Sequence, residues 1–367
     1  HPDLLEAPMW PGEMPAWQRL GNRELRTLLE HRKLRLVHYV DLTDGIEREG
    51  LHLASLWDAA GYSWHGQMTT AIAAGNGMLS DGILRGFAPD AGILPIKVGQ
   101  SSGRIPESAI LAGLRWLLKD TNWRRYGVRV VNISVGGDAP INWEESELSL
   151  AAEQLSYHGV LIAAASGNSG RAELLPPAQS PSVLTVGGYD DRNRRWSLLA
   201  QEEIAGLGQY HHNFGKVTGL DGAVQKPEIL GLAQFVPSPI LPGTPTFREM
   251  HAIDALRRTL AGDDDAHTHN LLDHWQRVMH VDDARHPEHE ELEAWAARFD
   301  SEDEQSLHEI WRALRKRMNA HKWVHPYYQH VDGTSVAVAQ VSAVAAQMFQ
   351  ANPRLNGQQV KALLLAT

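Results

Sequence analysis

Short apolar runs alternate with amphipathic stretches along the first half of the chain, between residues 34 and 187. The apolar runs are rich in Val, Ile, Leu and Ala, and they predict strands over residues 34–40, 93–98, 128–135, 160–165 and 182–187. Between them, apolar residues at helical spacing predict helices over residues 106–119 and about 144–158. Because strand and helix alternate, we predict an α/β fold with a mostly parallel sheet covered on both faces.

Polar residues stand at the ends of two of these predicted strands. Asp41 directly follows the strand over 34–40, and Asn168 comes shortly after the strand over 160–165. Open α/β sheets place their chemistry at the carboxyl ends of strands, so both side chains are candidates for a functional site. Asp44 is a second candidate aspartate, but its place before Gly45 fits a turn, so we favour Asp41. Asn168 is either an anion donor or a turn former, and loop statistics alone favour the turn.

A serine near the C-terminal end opens a run of small residues. Gly333-Thr334-Ser335 precedes residues 337–346, whose small side chains predict a buried helix with Ser335 at its N-terminus. The unpaired N–H groups there favour negative charge, such as the oxyanion of an acyl transfer, although Thr334 or Ser335 could equally serve only as an N-cap. His65 precedes Gly66 and another run of small residues. This pattern predicts a histidine at the first turn of a second buried helix, or a surface histidine that caps it.

Composition excludes several classes of function. The formal net charge of −10, with no Lys/Arg-rich run, argues against a nucleic-acid partner. The absence of cysteine excludes disulfides, thiolate metal sites and a cysteine nucleophile, and it favours the cytoplasm, with secretion as the alternative. No apolar run reaches membrane-spanning length, so we expect no membrane partner. A chain of 367 residues that is 43% hydrophobic can bury one large core together with an inserted subdomain.

Six segments, in this order along the chain, match the motifs of one family. They are Asp41 through Gly45, His65-Gly66 through Ala71, Asn132 through Gly137, Ala164 through Asn168, Lys226 through Ile229, and Gly333 through Ala337. Together they resemble the subtilisin-like serine proteases, over about residues 34–240 and 327–367. The resemblance implies a three-layer subtilisin-like fold and a catalytic triad of Asp41, His65 and Ser335, with Asn168 as the side-chain donor of the oxyanion hole. Serine is a poor nucleophile at neutral pH, so it needs a histidine base that a carboxylate orients.

The resemblance also implies a binding site for a protein or peptide substrate in extended conformation. The two walls of the primary specificity pocket would be formed by Ser134, Val135 and Gly136 and by Ala165, Ser166 and Gly167. Gly103, Arg104 and Ile105 would form an edge strand that pairs with the peptide, and Thr334 would make a further contact. The walls carry no charged side chain, which favours an apolar or aromatic P1 residue. Calcium sites are common in secreted members of the family, but no loop of this sequence matches one, so we expect no cofactor and no metal ion.

The sequence departs from the family pattern between Lys226 and Ser335. We predict a small all-helical insertion over 242–324, rich in His and Glu, whose four amphipathic stretches mark its helices. It divides the catalytic domain into residues 34–241 and 325–367, which follow an N-terminal arm and short helix over 1–33.

The insertion allows two hypotheses about its role. A metal ion could bind to histidines and aspartates within 263–269 and 286–289, but the Asp run is typical of a solvated loop. We prefer a lid, or docking of a partner or regulatory domain. The alternative to an active serine endopeptidase is therefore a catalytically silent or gated module that binds a partner through the insertion.

Overall fold

The computed structural model describes residues 35–49, 64–100, 102–192, 207–219, 222–241, 245–260 and 304–367. The chain divides into two compact units, one formed by residues 1–236 with 331–367 and the other by residues 237–330. The arm and helix predicted over 1–33 lie outside the described residues. None of the described helices combines the length and the hydrophobicity that crossing a membrane would take.

Strands of the first unit form one larger sheet and two smaller ones. In chain order they are β1 (Val40–Asp41), β2 (Arg48–Glu49), β3 (Ile96–Lys97), β4 (Val130–Ile133), β5 (Leu161–Ala165), β6 (Leu184–Asp190), β7 (Gly208–Gln209), β8 (Gly215–Gly219), β9 (Gly222–Lys226) and β10 (Ile229–Leu232). β4, β5, β6 and β10 run parallel in the order β10-β6-β5-β4, with β7 antiparallel to β6, and β8 pairs with β9 as a separate hairpin. These strands confirm the mostly parallel sheet. β5 and β6 are almost wholly buried, as their near-continuous apolar sequences predict.

The strand that carries Asp41 lies in a separate three-stranded sheet. Its order is β2-β1-β3, with β1 parallel to β3 and antiparallel to β2. The strands expected over 34–40 and 93–98 are shorter than predicted, because the register shifts by one residue between the pairs Leu36–Ile93 and Val40–Ile96. Pro95, which has no N–H to donate, lies within this interruption. An isolated bridge joins Leu36 with Ile93 further back along both segments. Within the described residues, the parallel strands therefore fall into two sheets rather than one.

Helices cover both faces of the larger sheet. In the first unit they are α1 (Trp64–Ala74), α2 (Glu107–Leu118), α3 (Asn122–Arg125), α4 (Glu147–Tyr157), α7 (Thr334–Ala351) and α8 (Gly357–Leu365). Ile162 and Ala164 of β5 share a core with α2 and α4, whereas Leu161 and Ala163 share another with α7. Successive strand residues point to opposite faces, so the sheet lies between two layers of helices. This arrangement confirms the expected three-layer α/β fold.

Small residues bring α7 against the sheet. A Cβ atom placed on Gly231 of β10 would lie 2.9 Å from the carbonyl oxygen of Ala337 and 3.1 Å from its Cβ. Val338 and Ala345 of α7 are fully buried in the core that the helix shares with the sheet. The small-residue run after Ser335 therefore forms the buried helix that the sequence predicts. This packing fixes the N-terminus of α7 near the carboxyl ends of the parallel strands.

The second unit has its own core. Its elements are β11 (Val236–Pro239), α5 (Pro245–Leu260), α6 (Glu304–Ala320), β12 (Trp323–His325) and β13 (Tyr328–Val331). Met250, Ile253 and Leu256 of α5 pack with Leu314 of α6 and with Ile240. The first and fourth helices predicted in the insertion are thus present, while the second and third lie outside the described residues. The unit also contains a three-stranded sheet in the order β11-β13-β12, of which only Trp323 and Val324 lie within the insertion predicted over 242–324.

Candidate active site

Ser335 occupies the first turn of α7, two residues after a glycine in an unusual conformation. Gly333 has a φ of 141°, which side chains other than that of glycine rarely allow, and its N–H donates to the carbonyl of Ala233 at 2.8 Å. Ser335 itself is largely buried, with 8% of its surface exposed. Within the described ranges its backbone N–H makes no hydrogen bond. A helix N-terminus with a free N–H beside a serine is an electropositive environment, which stabilises a developing oxyanion.

A chain of hydrogen bonds ties the end of β4 to α7. The hydroxyl of Ser335 donates to the carbonyl of Ser134 at 3.0 Å, and Ser134 Oγ donates to the carbonyl of Ser335 at 3.2 Å. Asn132 Nδ2 donates to Ser134 Oγ at 2.8 Å, and Ser342 Oγ donates to Asn132 Oδ1 at 3.0 Å. Three other polar side chains therefore connect with Ser335: Asn132 of β4, Ser134 directly after it and Ser342 of α7. The proton of the Ser335 hydroxyl faces a backbone carbonyl in this state.

The side chain of Asn168 is fixed by the residue before Ser335. Its Oδ1 accepts hydrogen bonds from the N–H of Thr334 at 2.8 Å and from Thr334 Oγ1 at 3.0 Å. Because a backbone N–H can only donate, the amide oxygen must face Thr334, and the amide NH₂ group must point away from it. Asn168 is exposed, and in the described part of the chain its Nδ2 makes no hydrogen bond. The N-terminus of α7 therefore has two unpaired hydrogen-bond donors within the described residues, Asn168 Nδ2 and the backbone N–H of Ser335.

His65 lies at the first turn of α1, as the sequence predicts. α1 packs against α7, with Met68 and Ile72 in the same apolar cluster as Val336 and Ala339. Burial lowers the pKa of the His65 imidazole below its usual value. Among the residues that the structure describes, neither Asp41 nor Ser335 is hydrogen-bonded to the His65 ring.

Asp41 ends β1, and its carboxylate is occupied by other partners. Oδ1 accepts from the N–H of Thr43 at 2.8 Å, and Oδ2 lies 3.6 Å from Lys97 Nζ. Burial alone would raise the pKa of Asp41, but the hydrogen bonds from Thr43 and the charges of Lys97 and Arg48 outweigh it and hold the pKa below its usual value. The carboxylate is therefore ionised at neutral pH. Asp44 belongs to a 3₁₀ turn over Thr43–Gly45, and its side chain lies outside the described residues.

The two predicted walls of the substrate pocket follow neighbouring parallel strands. Residues 134–136 come directly after β4, and residues 165–167 begin at the last residue of β5, so both segments lie at the carboxyl edge of the sheet. A Cβ atom on Gly136 would lie 3.3 Å from the Cβ of Leu175, so the absence of a side chain lets Leu175 pack closely against this segment. Gly167 has a φ of 105°, in the region that favours glycine.

Gly103, the first residue of the edge strand predicted over 103–105, lies in a turn. Gly103 has a φ of 83°, and its N–H donates to the carbonyl of Gln100 at 2.9 Å. The N–H of Gln100 in turn donates to the carbonyl of Arg104 at 2.8 Å. These bonds close a turn, because the left-handed conformation of Gly103 reverses the chain where an extended strand was expected. Ile105 follows this turn immediately before α2.

Sequence reasoning missed two residues at this edge of the sheet. Leu175 closes the space beside Gly136, and Asn213 hydrogen-bonds the loop that carries Asn168. Asn213 lies in a short segment between β7 and β8 that has no hydrophobic period. Nothing in its local pattern distinguishes it from an ordinary loop residue.

Comparison with known proteins gives one family. The family model described as the Subtilase family matches residues 56–367. The chain is 34% identical over 144 residues to Subtilisin BL from Lederbergia lenta, covering 39% of this chain and 48% of that protein. It is 31% identical over 134 residues to Serine protease AprX from Bacillus subtilis (strain 168), covering 35% of this chain and 30% of that protein. The matched stretches thus span about half, or less, of these relatives.

Among solved structures, Sphericase is similar in fold. The TM-score is 0.50 at 19% sequence identity, and the match covers 82% of this chain and 68% of that one. At 19% identity this similarity shows a shared fold, and no catalytic role is inferred from it.

Proposed function

Because the chain belongs to the subtilase family, we propose that it is a serine endopeptidase that hydrolyses protein or extended peptide substrates through an acyl-enzyme on Ser335. The observation that carries the proposal is the arrangement around the start of α7. There, Asn168 is held by Thr334 so that its amide NH₂ points away, and the N–H of Ser335 is unpaired within the described residues. Two preorganised donors beside a serine are what acyl transfer requires, because the tetrahedral intermediate carries a negative oxygen.

Each catalytic role then follows from the chemistry of the side chain. His65 removes the proton from Ser335 Oγ while Oγ attacks the scissile carbonyl carbon. The carbonyl oxygen becomes an oxyanion that accepts hydrogen bonds from Asn168 Nδ2 and Ser335 N. The imidazolium of His65 gives its proton to the leaving amine, and a water molecule then hydrolyses the ester by the same steps. The low pKa that burial gives His65 keeps its ring neutral, and so able to act as a base, at pH 7.

Asp41 is the aspartate we assign to the triad. It ends β1, it is 7% exposed, and its pKa is held low, so that it carries a negative charge at neutral pH. An ionised carboxylate stabilises the imidazolium that forms during the reaction. Productive geometry requires Asp41 Oδ2 to exchange its 3.6 Å contact with Lys97 for a hydrogen bond to His65. Asp44 is the alternative assignment.

The substrate would bind in extended conformation, with its P1 side chain between residues 134–136 and 165–167. The two walls carry no charged side chain, and the apolar Leu175 adjoins Gly136, which favours an apolar or aromatic P1 residue. The turn closed by Gly103 and Gln100 leaves Arg104 and Ile105 as the part of the predicted edge that could contact the peptide.

A second candidate function rests on the hydrogen bonds that the triad does not make. Asp41 pairs with Lys97, and the Ser335 hydroxyl donates to the carbonyl of Ser134, so in the described structure these two side chains contact partners other than His65. This observation favours a gated or silent module. Docking of a partner or regulatory domain on residues 242–324 stays a prediction. The cytoplasmic compartment, with secretion as the alternative, also stays a prediction.

Hydrolysis of an unfolded protein such as casein, and of internally quenched peptides, distinguishes the two functions. Ser335→Ala is the test variant, and Ser156→Ala, which changes a buried serine on α4, is the matched control. We expect the native chain and Ser156→Ala to cleave, and Ser335→Ala to be inactive. Cleavage that survives in Ser335→Ala would overturn the proposal. A folded native chain that cleaves nothing would favour the gated module.

A further inference from the structure

A segment distant in sequence holds the loop that carries Asn168. Residues 211–214 lie between β7 and β8 and run beside residues 167–171. The N–H of Asn213 donates to the carbonyl of Gly167 at 3.1 Å, and the N–H of Phe214 donates to the carbonyl of Arg171 at 3.0 Å. The loop is therefore fastened on both sides of Asn168 by one short segment.

The side chain of Asn213 adds two further hydrogen bonds. Its Oδ1 accepts from the N–H of Ser169 and from Ser169 Oγ, both at 2.8 Å. Because the N–H of Ser169 can only donate, the amide oxygen of Asn213 must be the atom that faces it. Asn213 thus binds Gly167 through its main chain and Ser169 through its side chain, and these are the two neighbours of Asn168. Only 5% of Asn213 is exposed, so water competes little for these bonds.

Gly167 fits this contact because it has no side chain. A Cβ atom at this position would lie 2.9 Å from Nδ2 and 3.0 Å from Cγ of Asn213, closer than side chains normally approach. On its other side, the N–H of Gly167 donates to Thr334 Oγ1 at 3.2 Å. The loop is therefore held between Asn213 and Thr334, and Thr334 also orients the Asn168 amide.

We infer that Asn213 is a positioning residue for the oxyanion donor Asn168. It touches no reacting atom, but it fixes the backbone on both sides of Asn168, so that the Asn168 amide stays aimed where the oxyanion forms. The inference rests on the proposed function of Asn168. A displacement of about 1 Å in a catalytic group can cost roughly 10²-fold in rate. We therefore expect Asn213→Ala to lower kcat by roughly tenfold to a hundredfold with little change in KM, because Asn168 acts in the transition state.

A double-mutant cycle with Asn168 separates positioning from general destabilisation. Asn213→Ala, Asn168→Ala and the double variant are compared by kcat and KM on one peptide substrate, with thermal stability measured for each. Asn122→Ala is the matched control, because Asn122 is equally buried, at 6% exposed, and its Nδ2 donates to the carbonyl of Trp116 at 2.9 Å away from the site. If Asn213→Ala does not fold, Asn213→Leu, which keeps the volume and lacks the acceptor, takes its place in the cycle.

The expected result is strong non-additivity. Asn213→Ala should lower kcat in the native background, but by less than about twofold when Asn168 is already alanine, since its effect passes through Asn168. Asn122→Ala should lose stability and keep kcat. An equal loss in both backgrounds, or no loss in either, would overturn the inference.

Crystal structures of the native chain and of Asn213→Ala give a readout that needs no activity. We expect the variant to lose the hydrogen bond between Asn168 and Thr334, and Asn213→Asp, which keeps an oxygen acceptor for Ser169, to retain it. If the native chain is inactive but this displacement occurs, the positioning role stands and the proposed function fails. An unchanged Asn168 in Asn213→Ala would overturn the positioning role itself.

Discussion

Ser335 and Ser134 form a reciprocal pair, in which each hydroxyl donates to the other residue's backbone carbonyl, at 3.0 Å and 3.2 Å. The pair holds the Ser335 hydroxyl with its proton away from any base. A neutral hydrogen bond of this kind contributes about 1 kcal/mol net, so rotating the hydroxyl toward His65 would cost only about a fivefold loss in rate. The pairing is therefore a resting position that the Ser335 hydroxyl can leave at a small cost in free energy.

Removing the Ser134 hydroxyl should affect stability more than activity. Ser134→Ala deletes the bond to the Ser335 carbonyl and leaves Asn132 Nδ2 without the acceptor it has at 2.8 Å. Asn132 is exposed, so water can replace the lost acceptor, and the free energy of unfolding should fall by about 1 kcal/mol while kcat changes little. Denaturant unfolding and peptide hydrolysis measure the two quantities. A loss of kcat as large as that of Ser335→Ala would show that Ser134 has a catalytic role.

Replacing the oxyanion donor should lower kcat selectively. Asn168→Ala removes Nδ2, so we expect kcat to fall by roughly 10²–10³-fold with KM nearly unchanged, a magnitude taken from the corresponding asparagine of subtilisin. Asn142→Ala is the control, because Asn142 is exposed and its side chain forms no capping hydrogen bond. Steady-state kinetics on one peptide would compare the three proteins. Equal kcat values for Asn168→Ala and Asn142→Ala would remove Asn168 from the mechanism.

The positions of Ser335, His65 and Asn168 could be predicted because local sequence determines each of them. Gly333 and the small residues after Ser335 specify a tight entry into a buried helix, and the apolar run before Asn168 specifies a buried strand. The role of Asn213 could not be predicted, since its bonds to Gly167 and Ser169 join segments about 45 residues apart through a loop without periodicity. The edge strand over 103–105 was implied by the family resemblance, which does not show that Gly103 adopts a positive φ in this chain.

The acid limb of the pH profile should reflect the burial of His65. Burial lowers the pKa of this imidazole below 6.5, and the neutral ring is the active base. A lower pKa extends the active form to more acid pH, so kcat/KM should fall with a midpoint below pH 6.5. The measurement is kcat/KM from pH 4.5 to 8 at constant ionic strength. A midpoint above pH 6.5 that moves to lower pH in Asp41→Asn would contradict this prediction. It would show that the Asp41 carboxylate stabilises the His65 imidazolium in the free protein, although the two side chains are not hydrogen-bonded in the described structure.

A buried lysine should make the protein more stable in alkali. Lys226 is fully buried, and its Nζ lies 2.8 Å from Glu228 Oε2, while Lys361 Nζ lies 2.6 Å from the other oxygen of the same carboxylate. Burial, together with the charge of Lys361, lowers the pKa of Lys226 from 10.5 to about 7. Between these values the unfolded chain binds more protons than the folded one, so the free energy of unfolding should rise as the pH increases from 7 toward 10.5.

Denaturant unfolding at pH 7, 8.5 and 10 tests this rise. Lys226→Met should flatten it, because the methionine has no proton to bind in either state. Lys216→Met, at an exposed position on β8, is the control and should keep the native slope. Identical slopes for the native chain and Lys226→Met would show that another group causes the dependence on pH.

Labelling with a fluorophosphonate, which reacts covalently with an activated serine, tests the central claim most directly. The native chain is compared with Ser335→Ala, Asp41→Ala and Asp44→Ala, each first shown to be folded by circular dichroism. We predict rapid labelling of the native chain and of Asp44→Ala, slow labelling of Asp41→Ala, and none of Ser335→Ala. Slow labelling of Asp44→Ala alone would transfer the triad role to Asp44. Labelling that persists in Ser335→Ala, or a folded native chain that never reacts, would contradict the assignment of Ser335 as the nucleophile.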